Sequence, residues 1–308
     1  MRALITTLDK NKPVALGEAP EPAPAANEAV MAVRAFSLNR GELPPLLRAD
    51  EIWRPGQDIA GVIAKAAANG AGPPEGTRVV GIVDEAGWSE RVAVPVHRLA
   101  NLPENVSFAA AATLPIAGLT ALRTLRFGEP LLGRSVLVTG ASGGVGQFAV
   151  QLAARSGATV TAIAGRGGRG AAELAKLGAS EVVGAIDEAK GPFALALDSV
   201  GGETLVKALR LLGPKGTVAV FGNTSREPTT LSFGDFAAGQ NTRIASFHSF
   251  TAEPDERFGP DLAILVSLIA DGSLKPLIGA ERSWRDFLAV ALELRDRKFA
   301  GKAVFRVD

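Results

Sequence analysis

The stretch Val136-Leu137-Val138-Thr139-Gly140-Ala141-Ser142-Gly143-Gly144-Val145-Gly146 decides the fold. A short apolar run gives way to glycines, then to an amphipathic segment, Gln147–Ala154, and a second apolar run begins at Thr159. This is the order of a strand, a tight turn, a helix and a returning strand. Glycines in the turn let the backbone bend sharply and approach a pyrophosphate, which the free amides and positive dipole end of the helix would hold. A glycine-rich turn alone is weak evidence, and its null is a structural turn in an α/β protein that binds something else. Its place between a strand and a helix makes the dinucleotide reading the stronger one.

Outward from the loop, apolar runs at Ser135–Thr139, Thr159–Ala164, Glu181–Gly184, Ala194–Asp198, Thr217–Phe221 and Arg243–His248 read as strands. Helical patterns separate them at Gly146–Arg155, Ala171–Leu177, Glu203–Leu212 and, weakly, Phe233–Ala238. Six strands joined by crossovers describe an α/β fold with a doubly wound parallel sheet. The first hundred residues differ. Short segments at Ala29–Ala35, Gly61–Ala64, Val79–Val83 and Arg91–Pro95, punctuated by Pro, Gly and acidic turns, read as β-rich. An Ala-rich helical stretch runs from Phe108 to Leu125. After the sheet come a helix at Pro260–Ala270, a short segment Lys275–Ile278, a helix Trp284–Asp296 and a last strand Ala303–Val307. That strand resembles the N-terminal β region in character, so the expected architecture is a split β-rich domain, 1–112 and 250–308, interrupted by a nucleotide-binding domain at 113–249.

Composition excludes other classes. The 308 residues carry 33 basic and 32 acidic side chains, a net charge of +1, so no global field favours nucleic acid or an anionic membrane. There is no cysteine, which removes disulfides, thiolate zinc sites and cysteine nucleophiles. There is no tyrosine either, so no phenol can act as an acid. The uncharged run Val106 to Leu122 falls short of the roughly 20 residues of a membrane span, and Pro115 and Gly118 interrupt it. The N-terminus lacks a secretory pattern. The expectation is a soluble cytoplasmic protein.

About 20 residues past the loop, an acidic side chain would bind the adenosine 2′-hydroxyl and select NAD. This chain has Gly165-Arg166-Gly167-Gly168-Arg169-Gly170 instead. Two guanidiniums stand where a 2′-phosphate would lie, and their planar donor fork suits phosphate. The expected cofactor is NADP(H), against the plain alternative of two exposed loop arginines.

Several further segments accompany these features: Ser37-Leu38-Asn39-Arg40-Gly41-Glu42, Pro55-Gly56-Gln57-Asp58-Ile59-Ala60-Gly61-Val62, Ala110-Ala111-Ala112-Thr113-Leu114-Pro115, Leu119-Thr120-Ala121, Leu177-Gly178-Ala179, Asp198-Ser199-Val200-Gly201-Gly202 and Gly301-Lys302. In this order they resemble the medium-chain dehydrogenase/reductase superfamily, and within it the zinc-independent quinone oxidoreductase branch. The resemblance implies a Rossmann domain inserted in a split, GroES-like catalytic domain, and NADPH-dependent reduction of quinones or α,β-unsaturated carbonyls. Zinc-dependent relatives carry a cysteine at the position of Asn39 and a histidine at that of Gln57, so no zinc is expected. The same resemblance places Asn39 and Thr120 near the nicotinamide and Ser142, Gly143, Gly144 and Val145 on the pyrophosphate. It places Gly165, Arg166 and Arg169 at the adenosine end, and Asp198, Val200, Gly222, Asn223, Phe247, His248 and Ser249 along the rest of the cofactor channel.

Hydride transfer to such a substrate leaves negative charge on an oxygen, which needs hydrogen-bond donors in a dry cleft. The Asn39 amide is the expected catalytic donor, with backbone amides and cofactor hydroxyls beside it. His97 reads as a surface or packing residue, Trp53 as core and Asp58 as a turn or domain-interface acid, and no carboxylate pair at useful spacing stands out. Two alternatives remain: an enone or enoyl-thioester reductase of lipid or polyketide metabolism, and a non-catalytic NADPH-binding protein. The segment Arg243–His248 is expected at the edge of the parallel sheet. It has no proline or lysine to guard it, so pairing with a second copy would make a homodimer.

Overall fold

The computed structural model describes residues 1–48, 50–165, 170–237, 239–248 and 256–308. Along the chain, β1 (Arg2–Thr6) and β2 (Val14–Glu18) pair as an antiparallel hairpin. There follow β3 (Glu28–Leu38), α1 (Leu43–Arg48), β4 (Asp58–Lys65), β5 (Arg78–Ile82), β6 (Arg91–Pro95), β7 (Leu99–Asn101) and α2 (Phe108–Ala112). A π-helical turn, Leu114–Gly118, takes up Pro115 and leads into α3 (Leu119–Leu125). Next come β8 (Ser135–Val138), α4 (Gly144–Arg155), β9 (Thr159–Ile163), α5 (Ala171–Lys176), β10 (Glu181–Val183), β11 (Phe193–Asp198), α6 (Gly202–Arg210), β12 (Leu212–Val220) and β13 (Arg243–Ser246). The chain closes with α7 (Gly259–Ala270), β14 (Ile278–Ser283), α8 (Phe287–Arg295) and β15 (Lys302–Arg306).

Two compact units result: Met1–Leu119 with Phe250–Asp308, and Thr120–Ser249. The first unit extends to Leu119, not Ala112, because the π-helical turn belongs to it: the Ile116 amide donates to Asp58 at 2.8 Å.

The second unit is a six-stranded parallel sheet in the order β10-β9-β8-β11-β12-β13. Its central strands are buried along nearly their whole length, which is why they read as unbroken apolar runs. The winding reverses between β8 and β11, and in such sheets ligands bind beyond the carboxyl ends of the strands at that point. Strand β12 begins at Leu212, earlier than the Thr217 expected, because a bulge lets Leu212 pair with Phe193. The weak helical pattern at Phe233–Ala238 is a single 3-10 turn, Phe233–Phe236, closed by a Ser232–Asp235 capping box. Strand β13 lies at the sheet edge, as expected, and ends at Ser246, short of His248.

The first unit is built on a sheet in the order β14-β15-β3-β4-β5-β7, with β6 also paired to β3. The C-terminal strand returns to it: β15 runs antiparallel to β3 with Ala303 opposite Leu38. Aromatic rings seal this return. Phe36 stacks on Trp88 at 5.6 Å and on Phe305 at 5.3 Å, and Phe287 lies 4.7 Å from Trp88 and 4.9 Å from Phe305. Residues at both ends of the sequence thus share one core, and each buried ring contributes about 1.5–3 kcal/mol. The strand after α7 is Ile278–Ser283, beyond the Lys275–Ile278 segment expected. The β1–β2 hairpin escaped the sequence reading; its second strand is only half buried.

Candidate active site

Each unit carries one polar centre. In the second, the turn after β8 is laced to the end of β9. The Gly143 amide donates to Gly140 O at 2.9 Å, Ala141 N to Ile163 O at 3.1 Å, and Ser142 Oγ to Ala164 O at 3.2 Å. Gly146 is required by its surroundings: a Cβ there would lie 2.5 Å from Gly140 O and from Ala141 Cα. The amides of Gly144, Val145 and Gly146 open α4 and find no carbonyl within that helix. A glycine cradle with free amides at a helix start fits a pyrophosphate.

Behind the cradle, Asp198 is fully buried and holds two loops together. Its carboxyl accepts Thr139 Oγ1 at 2.7 Å and the Gly201 amide at 2.8 Å, and Ser199 N donates to Thr139 Oγ1 at 3.1 Å. Burial pushes the Asp198 carboxyl above its ordinary range, against the pull of these hydrogen bonds from Thr139, Gly201 and Val200. Its oxygens are thus engaged in joining the loops after β8 and β11. Thr139 is the partner the sequence reading missed, although it stands directly before the glycines.

Gly201 has φ +73°, and a Cβ there would lie 2.4 Å from Asn223 Oδ1, so the loops after β11 and β12 touch. Gly222 packs on Ser199, and Asn223 is exposed, donating to Glu227 O and accepting from Ser225 Oγ. Val200, Gly222 and Asn223 therefore come together at the carboxyl ends of these strands. Past β13, Phe247 is half-buried, with the Arg123 guanidinium 6.0 Å from its ring centre, and His248 is exposed. Thr120 is buried at the start of α3, where its carbonyl accepts Thr124 Oγ1. Gly165 has φ +82°, and no described residue would crowd a Cβ there. Arg166, Arg169 and Ser249 lie outside the described residues.

The polar centre of the first unit comes from strand register. Ser37 on β3 faces Asp58 on β4, and the pairing of Leu38 with Ala303 carries Lys302 alongside Asn39. Asp58 is completely buried and accepts four hydrogen bonds: Ser37 Oγ at 2.6 Å, Asn39 Nδ2 at 2.9 Å, Lys302 Nζ at 3.0 Å and Ile116 N at 2.8 Å. Lys302 Nζ also donates to Asn39 Oδ1 at 2.5 Å. Glu42, 8% exposed, accepts through Oε2 from the backbone amide of Asn39 at 2.7 Å and its Nδ2 at 3.1 Å. Its Oε1 is buried with no hydrogen-bond partner. Burial and the Asp58 charge push the Glu42 carboxyl up to about 8, outweighing the Asn39 hydrogen bonds and the Lys302 charge.

Two expectations change here. Asp58 is the centre of a buried ion pair and no turn acid, and with Glu42 it forms the carboxyl pair that sequence spacing hid. The Asn39 amide has both Nδ2 protons committed to Asp58 and Glu42, so in this geometry it has none to offer a substrate oxygen. His97 is half-buried with Nε2 unpartnered, and Trp53 packs against the core, in keeping with the structural roles expected of them.

The cluster does not suit a zinc ion. It offers the Asn39 carboxamide where a thiolate would serve, and the Lys302 ammonium already occupies the acid cluster. Among the described residues, no group of three or more His, Cys, Asp or Glu side chains could hold a metal, and no helix is long and apolar enough to cross a membrane.

Residues 144–265 match a family model described as zinc-binding dehydrogenase. A chloroplast envelope quinone oxidoreductase homolog of Arabidopsis thaliana is 35% identical over 60% of this chain and 60% of its own length. The spectinabilin polyketide synthase system protein NorB of Streptomyces orinoci is 33% identical over 84% of this chain, which spans only 12% of that protein. A quinone oxidoreductase of Pongo abelii is 31% identical, with 84% of this chain and 83% of the relative covered. The solved quinone oxidoreductase of Coxiella burnetii superposes with a TM-score of 0.84 at 24% identity, over 100% of this chain and 99% of that one. With its parallel nucleotide-type sheet set into a split β-rich unit, the chain belongs to the quinone oxidoreductase branch of the medium-chain dehydrogenase/reductase superfamily.

Proposed function

We propose that the chain is an oxidoreductase that uses NADPH to reduce a quinone or an α,β-unsaturated carbonyl without a metal ion. The observation that carries this reading is the glycine cradle before α4, where Gly146 admits no side chain and three amides stand free of the helix. Gly144, Val145 and Ser142 would hold the pyrophosphate, Gly165 with Arg166 and Arg169 the adenosine end, and Val200, Gly222 and Asn223 the length between. Bound there, the reduced nicotinamide supplies a hydride.

The chain's own contribution is positioning and fixed charge. Lys302 pairs with Asp58 and donates to Asn39 Oδ1, which fixes the cluster in place. Because the Asn39 amide protons are engaged, this cluster lends little hydrogen bonding to a developing oxyanion. That favours substrates that are electrophilic by themselves, quinones above all, over thioesters. Similarity to a polyketide synthase component favours the second reading, an enoyl-thioester reductase, although no tyrosine is present to donate a proton. The comparison of kcat/KM for a quinone, a simple enone and an enoyl thioester separates the two. The quinone should lead; a thioester preferred by an order of magnitude or more would reverse the assignment.

The exposed edge of β13 is the surface on which a second copy would pair, closing an open row of backbone groups. Light scattering at micromolar concentration should give twice the chain mass, and a clean monomer mass would refute that pairing.

A further inference from the structure

The buried side chains of Glu42, Asp58 and Lys302 bring two carboxyls and one ammonium together, so one acid must be accommodated without a counter-charge. Hydrogen bonding decides which. Asp58 accepts from four donors, one of them the ammonium of Lys302 at 3.0 Å. Glu42 accepts only from neutral groups, the two amides of Asn39, and both bonds go to one oxygen. The other oxygen, Oε1, is buried and meets no donor among the described residues. A bare carboxylate oxygen in that place would be costly, whereas a hydroxyl is far less so.

We infer that Glu42 is a positioning residue that works as a neutral acid: protonated at Oε1, it holds Asn39 through Oε2 and so locks the carboxamide between Asp58 and Lys302. Loss of that proton puts a second negative charge beside Asp58, with Lys302 alone to balance both, and the lock loosens. The charged groups that act on Glu42 are Asp58 on β4 and Lys302 on β15; Arg40, two residues before it in the chain, is not among them. Burial lowers the Arg40 guanidinium, as does the Arg297 charge facing it. The elevated affinity of Glu42 for its proton accords with the geometry. The inference rests on the reading above, in which Asn39 lies by the nicotinamide, and gives that site an alkaline limit set by Glu42.

Two variants and one spectrum test it. Glu42→Ala removes the lock that keeps Asn39, which acts by its position and not as a donor, in place, and should lower kcat/KM for NADPH oxidation by a quinone roughly ten- to hundredfold, as misplacement of a supporting group does. Glu42→Gln, the isostere of the neutral acid, should recover most of that loss and abolish the fall in activity above about pH 8. In parallel, infrared spectroscopy of the cofactor-free wild type should show a protonated carboxyl band at neutral pH that disappears on titration through about pH 8 and is missing in Glu42→Gln. A Gln variant as impaired as the Ala variant, or a wild type whose Glu42 is already ionised at neutral pH, would overturn the inference. If the wild type reduces no quinone or enone, the functional reading fails, and the infrared titration still decides the state of Glu42.

Discussion

Lys302 and Asp58, 244 positions apart in the chain, form an ion pair of 3.0 Å in which the side chains are 2% and 0% exposed. The β15–β3–β4 register brings them together, so the last strand of the protein completes a cluster begun by the third and fourth. Removing one partner of a buried pair strands the other. Lys302→Met should therefore cost about 3–5 kcal/mol in urea unfolding, and the double variant Lys302→Met/Asp58→Asn should recover much of it. Equal losses for the single and double variants would mean that the charge pairing matters little.

Glu42 should make stability fall as pH rises. Its carboxyl is pushed up to about 8 in the folded protein and has its ordinary value of 4.5 when unfolded. Between these values the folded state holds a proton the unfolded state has lost. The stability linked to this group is therefore complete below about pH 4.5 and gone above about pH 8, a difference on the order of a few kcal/mol. Urea midpoints measured across this range should decline more steeply for the wild type than for Glu42→Gln.

The glycine cradle makes its own prediction. In Gly146→Ala the new methyl meets backbone atoms of Gly140 and Ala141 at 2.5–2.7 Å, so the loop itself must shift. NADPH affinity in a fluorescence titration should fall by roughly tenfold or more, equivalent to about 1.4 kcal/mol, while the fold is kept by circular dichroism. Unchanged affinity would place the cofactor elsewhere.

Cofactor choice should rest on Arg166. A charge-assisted hydrogen bond contributes roughly 1.5–3 kcal/mol, so Arg166→Ala should weaken NADPH about ten- to hundredfold and leave NADH nearly unchanged. Gly165→Asp combined with Arg166→Ala should reverse the preference. No described residue would crowd a Cβ at position 165, and Asp tolerates its left-handed φ of +82° better than most residues. Dissociation constants for both cofactors check this; equal losses for NADPH and NADH would show that the 2′-phosphate is not read here.

The nucleotide unit was legible because its signals are local. Strand, glycines and helix follow one another within Val136–Arg155, and the buried strands announce themselves as apolar runs. The return of the C-terminal strand was legible too, from the character of Ala303–Val307. The polar cluster was not. Asp58 and Glu42 meet through Asn39 and the β3–β4 register, and nothing in sequence spacing tells an acid at a strand start from an acid at a turn. For the same reason only the fold shows that both Asn39 amide protons are taken. The pairing of Asp198 with Thr139 was hidden too, because Thr139 looks like the end of a strand.

The most direct test is a single turnover. NADPH bound in stoichiometric amount to chelator-treated protein is mixed with excess quinone, and its absorbance is followed. The account predicts oxidation of one equivalent at an unchanged rate whether or not zinc has been removed. Bound NADPH that no quinone or enone can oxidise, or a reaction that chelation abolishes and zinc restores, would contradict it.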